Sequence, residues 1–293
     1  SSKLGRLSLE QVAAPAIHYA REGFPVSPVI ARLWELGRQR LGDQPGFAEA
    51  FLRDGKAPVA GQWYQNPDQA NTLERIAATQ GQDFYTGELA KRIADFSRQH
   101  GGAMDEQDLA EHRANWCGTI SHPFAQSVIH EIPPNGQGLA ALMALGIMEQ
   151  AGVGQQPLDH IDTVHLSIEA MKLAFADLYE HHADLEHMIH HPEHLLDPAY
   201  LRERAALIQM NEAGDPKHGL PGPSGTVYVT AADSSGMMVS LIQSNYRGMG
   251  SGLVPDGLGF MLQDRGELFS LQRGHPNLYA PGRRPFQTII PAF

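Results

Sequence analysis

Gly225 and Thr226 open the stretch G-T-V-Y-V-T-A-A-D-S-S-G, which runs to Gly236, and the threonine is the residue best suited to covalent chemistry. A threonine hydroxyl is unreactive near neutral pH unless a base lies within hydrogen-bond reach, and a threonine that is also a chain N-terminus carries that base as its own α-amine. An α-amine titrates at about 7.7 to 8.0, so a useful fraction is neutral and able to take the hydroxyl proton, whereas a lysine amine sits roughly two units higher. The chemistry is acyl transfer, and it requires a cut between Gly225 and Thr226. Taken alone, a threonine that opens a strand is an ordinary β-former.

The surrounding elements provide a place for the cut and a frame for the hydroxyl. D-P-K-H-G-L-P-G-P-S-G, residues 215–225, is a Pro/Gly-rich loop where a chain is readily cleaved. T-V-Y-V-T-A-A and M-M-V-S-L-I-Q alternate with period two around D-S-S-G and predict a hairpin. Upstream, from Leu9 to about His112, the apolar spacing is helical. Gly23, Gly101 and Gly102 fall where helices would end, and Asp105 with Asp108 forms a helix-start arrangement. S-V-I-H-E-I at 127–132 reads as a strand closed by Pro133 and Pro134, followed by the glycine loop N-G-Q-G feeding a helix. Residues 165–180 form an amphipathic core helix, and R-P-F-Q-T-I-I-P-A-F reads as an apolar strand still under way at Phe293. Helices first and strands later predict an α+β fold in which helices cover mixed sheets.

Other candidate chemistry is weaker. His181, His182, His187, His190, His191 and His194 have the imidazoles for a transition metal, but neither H-E-x-x-H nor a cysteine–histidine set is present, so the segment is expected to be a solvated helix-to-loop stretch with no metal. The glycine loop has neither the lysine nor the spacing of a nucleotide fingerprint and reads as a packing turn. Cys117 is the only cysteine, which excludes an intrachain disulfide, and it is expected to be small buried packing. A formal net charge of -11, from 33 acidic and 22 basic residues, argues against a nucleic-acid partner. No run approaches the roughly 18 apolar residues of a membrane span, and the first residues show no secretory h-region. A soluble protein, cytoplasmic or periplasmic, is expected.

In order along the chain, A-P-A-I-x-x-A-R-E-G-F-P-V, N-P-D-Q-A-N-T-L-x-x-I-A, F-Y-T-G-E-L-A-K-R-I, G-G-A-M-D-E-Q-D-L-A, P-P-N-G-Q-G, A-F-A-D, D-P-A-Y-L-R-E-R-A and the T-V-Y-V-T-A-A-D-S-S-G hairpin with its G-M-G-S-G sequel resemble the γ-glutamyltranspeptidase family of N-terminal-nucleophile hydrolases. The resemblance covers nearly the whole chain and rests on the order of motifs. It implies a four-layer αββα sandwich and a precursor that cuts itself before Thr226. It also implies a mostly helical large-subunit part at 1–225 and the start of a β-rich small-subunit part at 226–293, together one domain. Ser244 falls where the family places a second hydroxyl that hydrogen-bonds the nucleophile; otherwise it is a polar residue ending a strand.

Three positions depart from the family pattern. Tyr246 stands where an asparagine helps hold the glutamyl head, Arg265 replaces a glutamine, and Leu268 replaces the aspartate that binds the substrate amine. Losing the aspartate removes a partner for an ammonium, while an arginine favours a carboxylate. Arg265 is either that clamp or a surface arginine paired with Asp264 or Glu267; Arg283 and Arg284 read as structural. The chain is therefore closer to the branch that includes cephalosporin-acylase-like proteins. The family's oxyanion glycines and carboxylate-binding serines correspond to positions downstream of Phe293, and a carboxylate-binding arginine to one upstream of Ser1. The expected activity is hydrolysis of γ-glutamyl amides such as glutathione through Thr226, favoured over transfer to an amino acid, with no cofactor. The alternatives are a glutaryl-type acylase and an unprocessed, non-catalytic binding protein of the same fold.

Overall fold

The computed structural model describes residues 4–216 and 224–293, with side chains from 227 onward in the second stretch. Two compact units result, one from Ser1–Asn115 and Arg247–Gln263, the other from Trp116–Tyr246 and Asp264–Phe293.

The first unit is helical, as its spacing predicts: α1 (Leu9–Glu22), β1 (Phe24–Pro25), α2 (Pro28–Leu41), α3 (Phe47–Phe51), β2 (Trp63–Tyr64), α4 (Pro67–Ala78), α5 (Gln82–Thr86), α6 (Glu88–Gln99) and α7 (Glu106–Glu111). Local chemistry sets the boundaries. Ser8 and Gln11 form a capping box at α1, and Gly23 ends that helix at a φ of 91° that side chains resist. Asp105 accepts from the Asp108 N–H while Asp108 accepts from the Asp105 N–H, both at 3.0 Å, which is the arrangement expected at the start of α7. Val26, Trp34, Phe47, Phe51 and Tyr64 make one apolar cluster, and Trp34 Nε1 donates to the Phe51 carbonyl at 3.0 Å. The returning segment is stitched to α4: Asn66 Nδ2 donates to the Gly259 carbonyl at 2.8 Å and Thr72 Oγ1 to the Leu258 carbonyl at 2.9 Å. Arg40 donates to the Gly248 carbonyl at 2.7 Å, fixing the glycine-rich sequel of the hairpin.

The second unit holds β3 (Ile120–Phe124), β4 (Ser127–Glu131), α8 (Gly138–Gln150), α9 (Ile161–His181), α10 (Pro192–Leu195), α11 (Pro198–Ala205), β5 (Ser224–Ala232) and β6 (Met238–Arg247). β3 and β4 are an antiparallel pair with Ile120 opposite Glu131 and His122 opposite Ile129; β3, which carries Pro123, was not anticipated. Its centre is α8, apolar all round: Leu139, Ala140, Leu142, Met143, Ala144 and Ile147 are buried. Most of these pack with Ala170, Leu173, Ala174 and Leu178 of α9, Leu201 of α11 and Phe286. Each fully buried leucine contributes about 1.5–3 kcal/mol. Gly146 permits the closeness, since an added Cβ would lie 2.5 Å from Leu201 Cδ1.

Three expectations need correction. Cys117 is exposed, because it lies in the irregular stretch before β3 and has no core to join. The apolar run before Phe293 is not a strand; it makes isolated pairings, with His130 and Phe293 exchanging backbone bonds at 2.9 and 3.0 Å. His182 is not solvated: it is 3% exposed. Among the described residues, no group of three or more His, Cys, Asp or Glu side chains is placed to hold a metal ion.

Candidate active site

β5 and β6 form the predicted hairpin, and its turn is organised by one carboxylate. Asp233 Oδ1 accepts from the Ser235 N–H at 2.8 Å, the Ser235 hydroxyl at 2.6 Å and the Met237 N–H at 3.2 Å. These bonds hold the Asp233 carboxyl below its usual range. Gly236 completes the turn at a φ of 85°. D-S-S-G is thus a self-bonded turn that fixes which residues of the two strands face each other, and Tyr228 and Ser240 meet across them at 3.0 Å.

β5 begins at Ser224, so in the uncut chain Gly225 and Thr226 lie within the strand rather than ahead of it. The Thr226 side chain lies outside the described residues. Ser244, on β6, is half-buried, and its Oγ accepts the Tyr246 N–H at 3.0 Å.

The bond from Ser244 helps turn the chain at Tyr246, whose φ is 74°. A bulky side chain rarely occupies this left-handed region, whereas asparagine tolerates it. Tyr246 is nonetheless buried, and the Arg265 guanidinium lies over its ring, 5.9 Å from the centroid. Arg265 opens a 3₁₀ turn at Arg265–Leu268, is only 3% exposed, and donates from Nη1 to Thr288 Oγ1 at 3.1 Å. The surface reading of Arg265 is therefore wrong. Burial works against its charge and lowers its pKa, with Asp264 and Tyr246 opposing. Two of the three departures from the family pattern thus touch each other. The third, Leu268, packs against the apolar cluster around α8 and α9, and its carbonyl accepts from Asn277 Nδ2 at 2.8 Å.

The P-P-N-G-Q-G loop is a packing turn. The Asn135 carbonyl takes bonds from His182 Nε2 and the Gln287 N–H, both at 2.8 Å, and Asn135 Nδ2 donates to the Pro285 carbonyl at 2.6 Å. Because a carbonyl only accepts, His182 carries its proton on Nε2; burial pushes its pKa down to about 4 and keeps it neutral. Periodicity carried no signal for this latch. Arg283 is structural, as expected, donating to the Pro276 carbonyl at 3.1 Å.

With this architecture in view, the relatives are informative. The chain matches a solved cephalosporin acylase from Bacillus halodurans with a TM-score of 0.92 and 41% identity, over 100% of this chain and 54% of that one. The class is therefore that of the N-terminal-nucleophile hydrolases, with their α+β fold. Residues 1–293 match the sequence model of gamma-glutamyltranspeptidase, and the chain belongs to that family. Curated relatives include the glutathione hydrolase-like YwrD proenzyme of Bacillus subtilis, 35% identical over 98% of this chain. The oxamate amidohydrolase proenzyme of Klebsiella pneumoniae is 36% identical, also over 98%. The chain spans about half the length of these relatives, 54% of each. The likeness to acylase and glutathione hydrolase-like proteins sets it in the acylase-like branch.

Proposed function

We propose that this chain carries the nucleophile of a self-processing amidohydrolase. The Thr226 hydroxyl attacks the Gly225 carbonyl, the peptide bond gives way to an ester, and water hydrolyses it to leave Gly225 as a C-terminus and Thr226 as an N-terminus. In the mature enzyme Thr226 Oγ adds to a substrate amide carbonyl while the α-amine takes the hydroxyl proton and passes it to the leaving amine. Water then resolves the acyl-enzyme in preference to an amino-acid acceptor. Ser244 donates its hydroxyl proton toward Thr226 and steadies it. These steps use only a nucleophile, a base and an oxyanion site, so the reading calls for no cofactor.

The preferred acyl group ends in a carboxylate and has no adjacent ammonium, as in glutaryl and other dicarboxylic monoamides. Arg265 supports the carboxylate end, being buried and held rather than spread on the surface. Leu268, turned to an apolar cluster, supplies no charge for the α-ammonium of a γ-glutamyl group. The family's likeness to glutathione hydrolases keeps γ-glutamyl amides as the second substrate class.

The observation that carries this reading is the match to the family along residues 1–293; the order of motifs in the sequence supports Thr226 as the residue that follows the cut. The test is turnover of glutaryl and γ-glutamyl anilides by the full-length protein, with and without Thr226→Ala. The glutaryl substrate should show the higher kcat/KM, and the substitution should remove turnover of both. Unchanged rates in the variant would remove Thr226 from the mechanism, and the reverse preference would remove the substrate assignment.

A further inference from the structure

We infer that Tyr246 and Thr288 are positioning residues for Arg265, so that three side chains form one device selecting acyl groups with a terminal carboxylate. The inference rests on the substrate reading above and deepens it. It starts from a backbone anomaly. Tyr246 holds a φ of 74°, a conformation strained for a bulky residue that persists only where surroundings over-determine it. Two bonds do so here: the Tyr246 N–H is taken by Ser244 Oγ at 3.0 Å, and the Asp264 N–H donates to the Asn245 carbonyl at 3.3 Å. The second bond brings the start of the 3₁₀ turn, and with it Arg265, beside the end of β6. The Tyr246 ring lies on the less exposed side of β6, in alternation with Ser240, Ile242 and Ser244, and meets the guanidinium there.

The guanidinium is gripped on a face by the ring, 5.9 Å from its centroid, and on an edge by Thr288 Oγ1 at 3.1 Å. A planar five-donor fork held by a face and an edge keeps one orientation, which is what two parallel bonds to a carboxylate require. A flexible arginine would spend that order on binding; a held one has it in advance. The two family departures, at 246 and 265, are in this view one change: the tyrosine is of use only because the arginine is there.

Tyr246→Asn tests the ring, and it installs the asparagine that the family pattern has at this position. Asparagine suits the left-handed backbone better than tyrosine, so the substitution relieves strain while deleting the ring. The experiment measures kcat and KM of the full-length protein for a glutaryl anilide and for a neutral-acyl anilide of equal length, in the wild type and in Arg265→Gln, Tyr246→Asn, Tyr246→Phe, Thr288→Val and Thr288→Ser. Arg265→Gln should erase the discrimination between the two substrates. Tyr246→Asn and Thr288→Val should each raise KM for the glutaryl substrate roughly three- to tenfold, leaving its kcat within about twofold and the neutral substrate's KM unmoved. Tyr246→Phe and Thr288→Ser should retain the discrimination, since the ring face and the hydroxyl acceptor survive. If Arg265→Gln keeps full discrimination, the carboxylate reading fails and this inference falls with it. If Arg265→Gln loses it but Tyr246→Asn and Thr288→Val do not, the substrate reading stands and the positioning role is overturned.

Discussion

Glu131 ends β4 against the first residue of α8: a Cβ added to Gly138 would lie 2.6 Å from its Oε2. At 1% exposed, it is a buried acid, and burial pushes its pKa up to about 7, the Ile132 N–H opposing. A carboxyl whose folded pKa is raised binds its proton more tightly in the folded state than in the unfolded chain. Its unfavourable contribution is therefore absent below pH 4.5, grows between 4.5 and about 7, and is complete above 7, at roughly 3 kcal/mol. Glu131→Gln should accordingly gain on the wild type as pH rises from 5 to 8, read from urea midpoints. A difference that is constant across that range would show that the acid does not titrate there. Arg265 and His182 follow the same principle of buried polar groups held by specific partners: His182 is kept neutral by burial, while the guanidinium keeps its charge and is gripped on a face and an edge.

The Asp233 turn and the α9–α11 contact are where elements can be tested. Gly236 has nothing within 4 Å of an added Cβ, so Gly236→Ala meets only the backbone penalty of its φ of 85°, about 1–2 kcal/mol, and Gly236→Asn should cost less. Thermal unfolding of both variants checks that order; equal losses would place the cost in packing. Arg204 of α11 pairs with Asp177 of α9 at 2.9 Å, with side chains 20% and 9% exposed. Arg204→Met takes the cation from the buried Asp177, leaving it the Tyr200 hydroxyl, and should destabilise by about 3 kcal/mol, whereas Arg204→Met with Asp177→Leu should recover most of the loss. Recovery failing in the double variant would mean that packing, not charge, dominates.

Most of this level was legible before any coordinates. Capping residues and apolar spacing marked the helices of the first unit, and the turn chemistry of D-S-S-G marked the hairpin, because those signals are local. β3 was missed because a short edge strand containing a proline owes its existence to β4, a partner that spacing alone does not reveal. The His182 latch and the Arg265–Tyr246 contact were hidden for the same reason. Each joins residues far apart in sequence, and a histidine or arginine looks identical whether it faces water or a carbonyl.

At the scale of the whole molecule, the chain spans about half the length of its curated relatives, which are proenzymes. The described residues contain no helix long and apolar enough to cross a membrane, and the chain's net charge of -11 suits small-molecule chemistry better than a polyanion. The most direct test joins N-terminal sequencing to intact mass in the active full-length protein and its Thr226→Ala variant. The account predicts two fragments from the wild type, the smaller beginning at Thr226, and one uncut chain from the variant. A protein that turns over its amide substrate with the Gly225–Thr226 bond whole would contradict it.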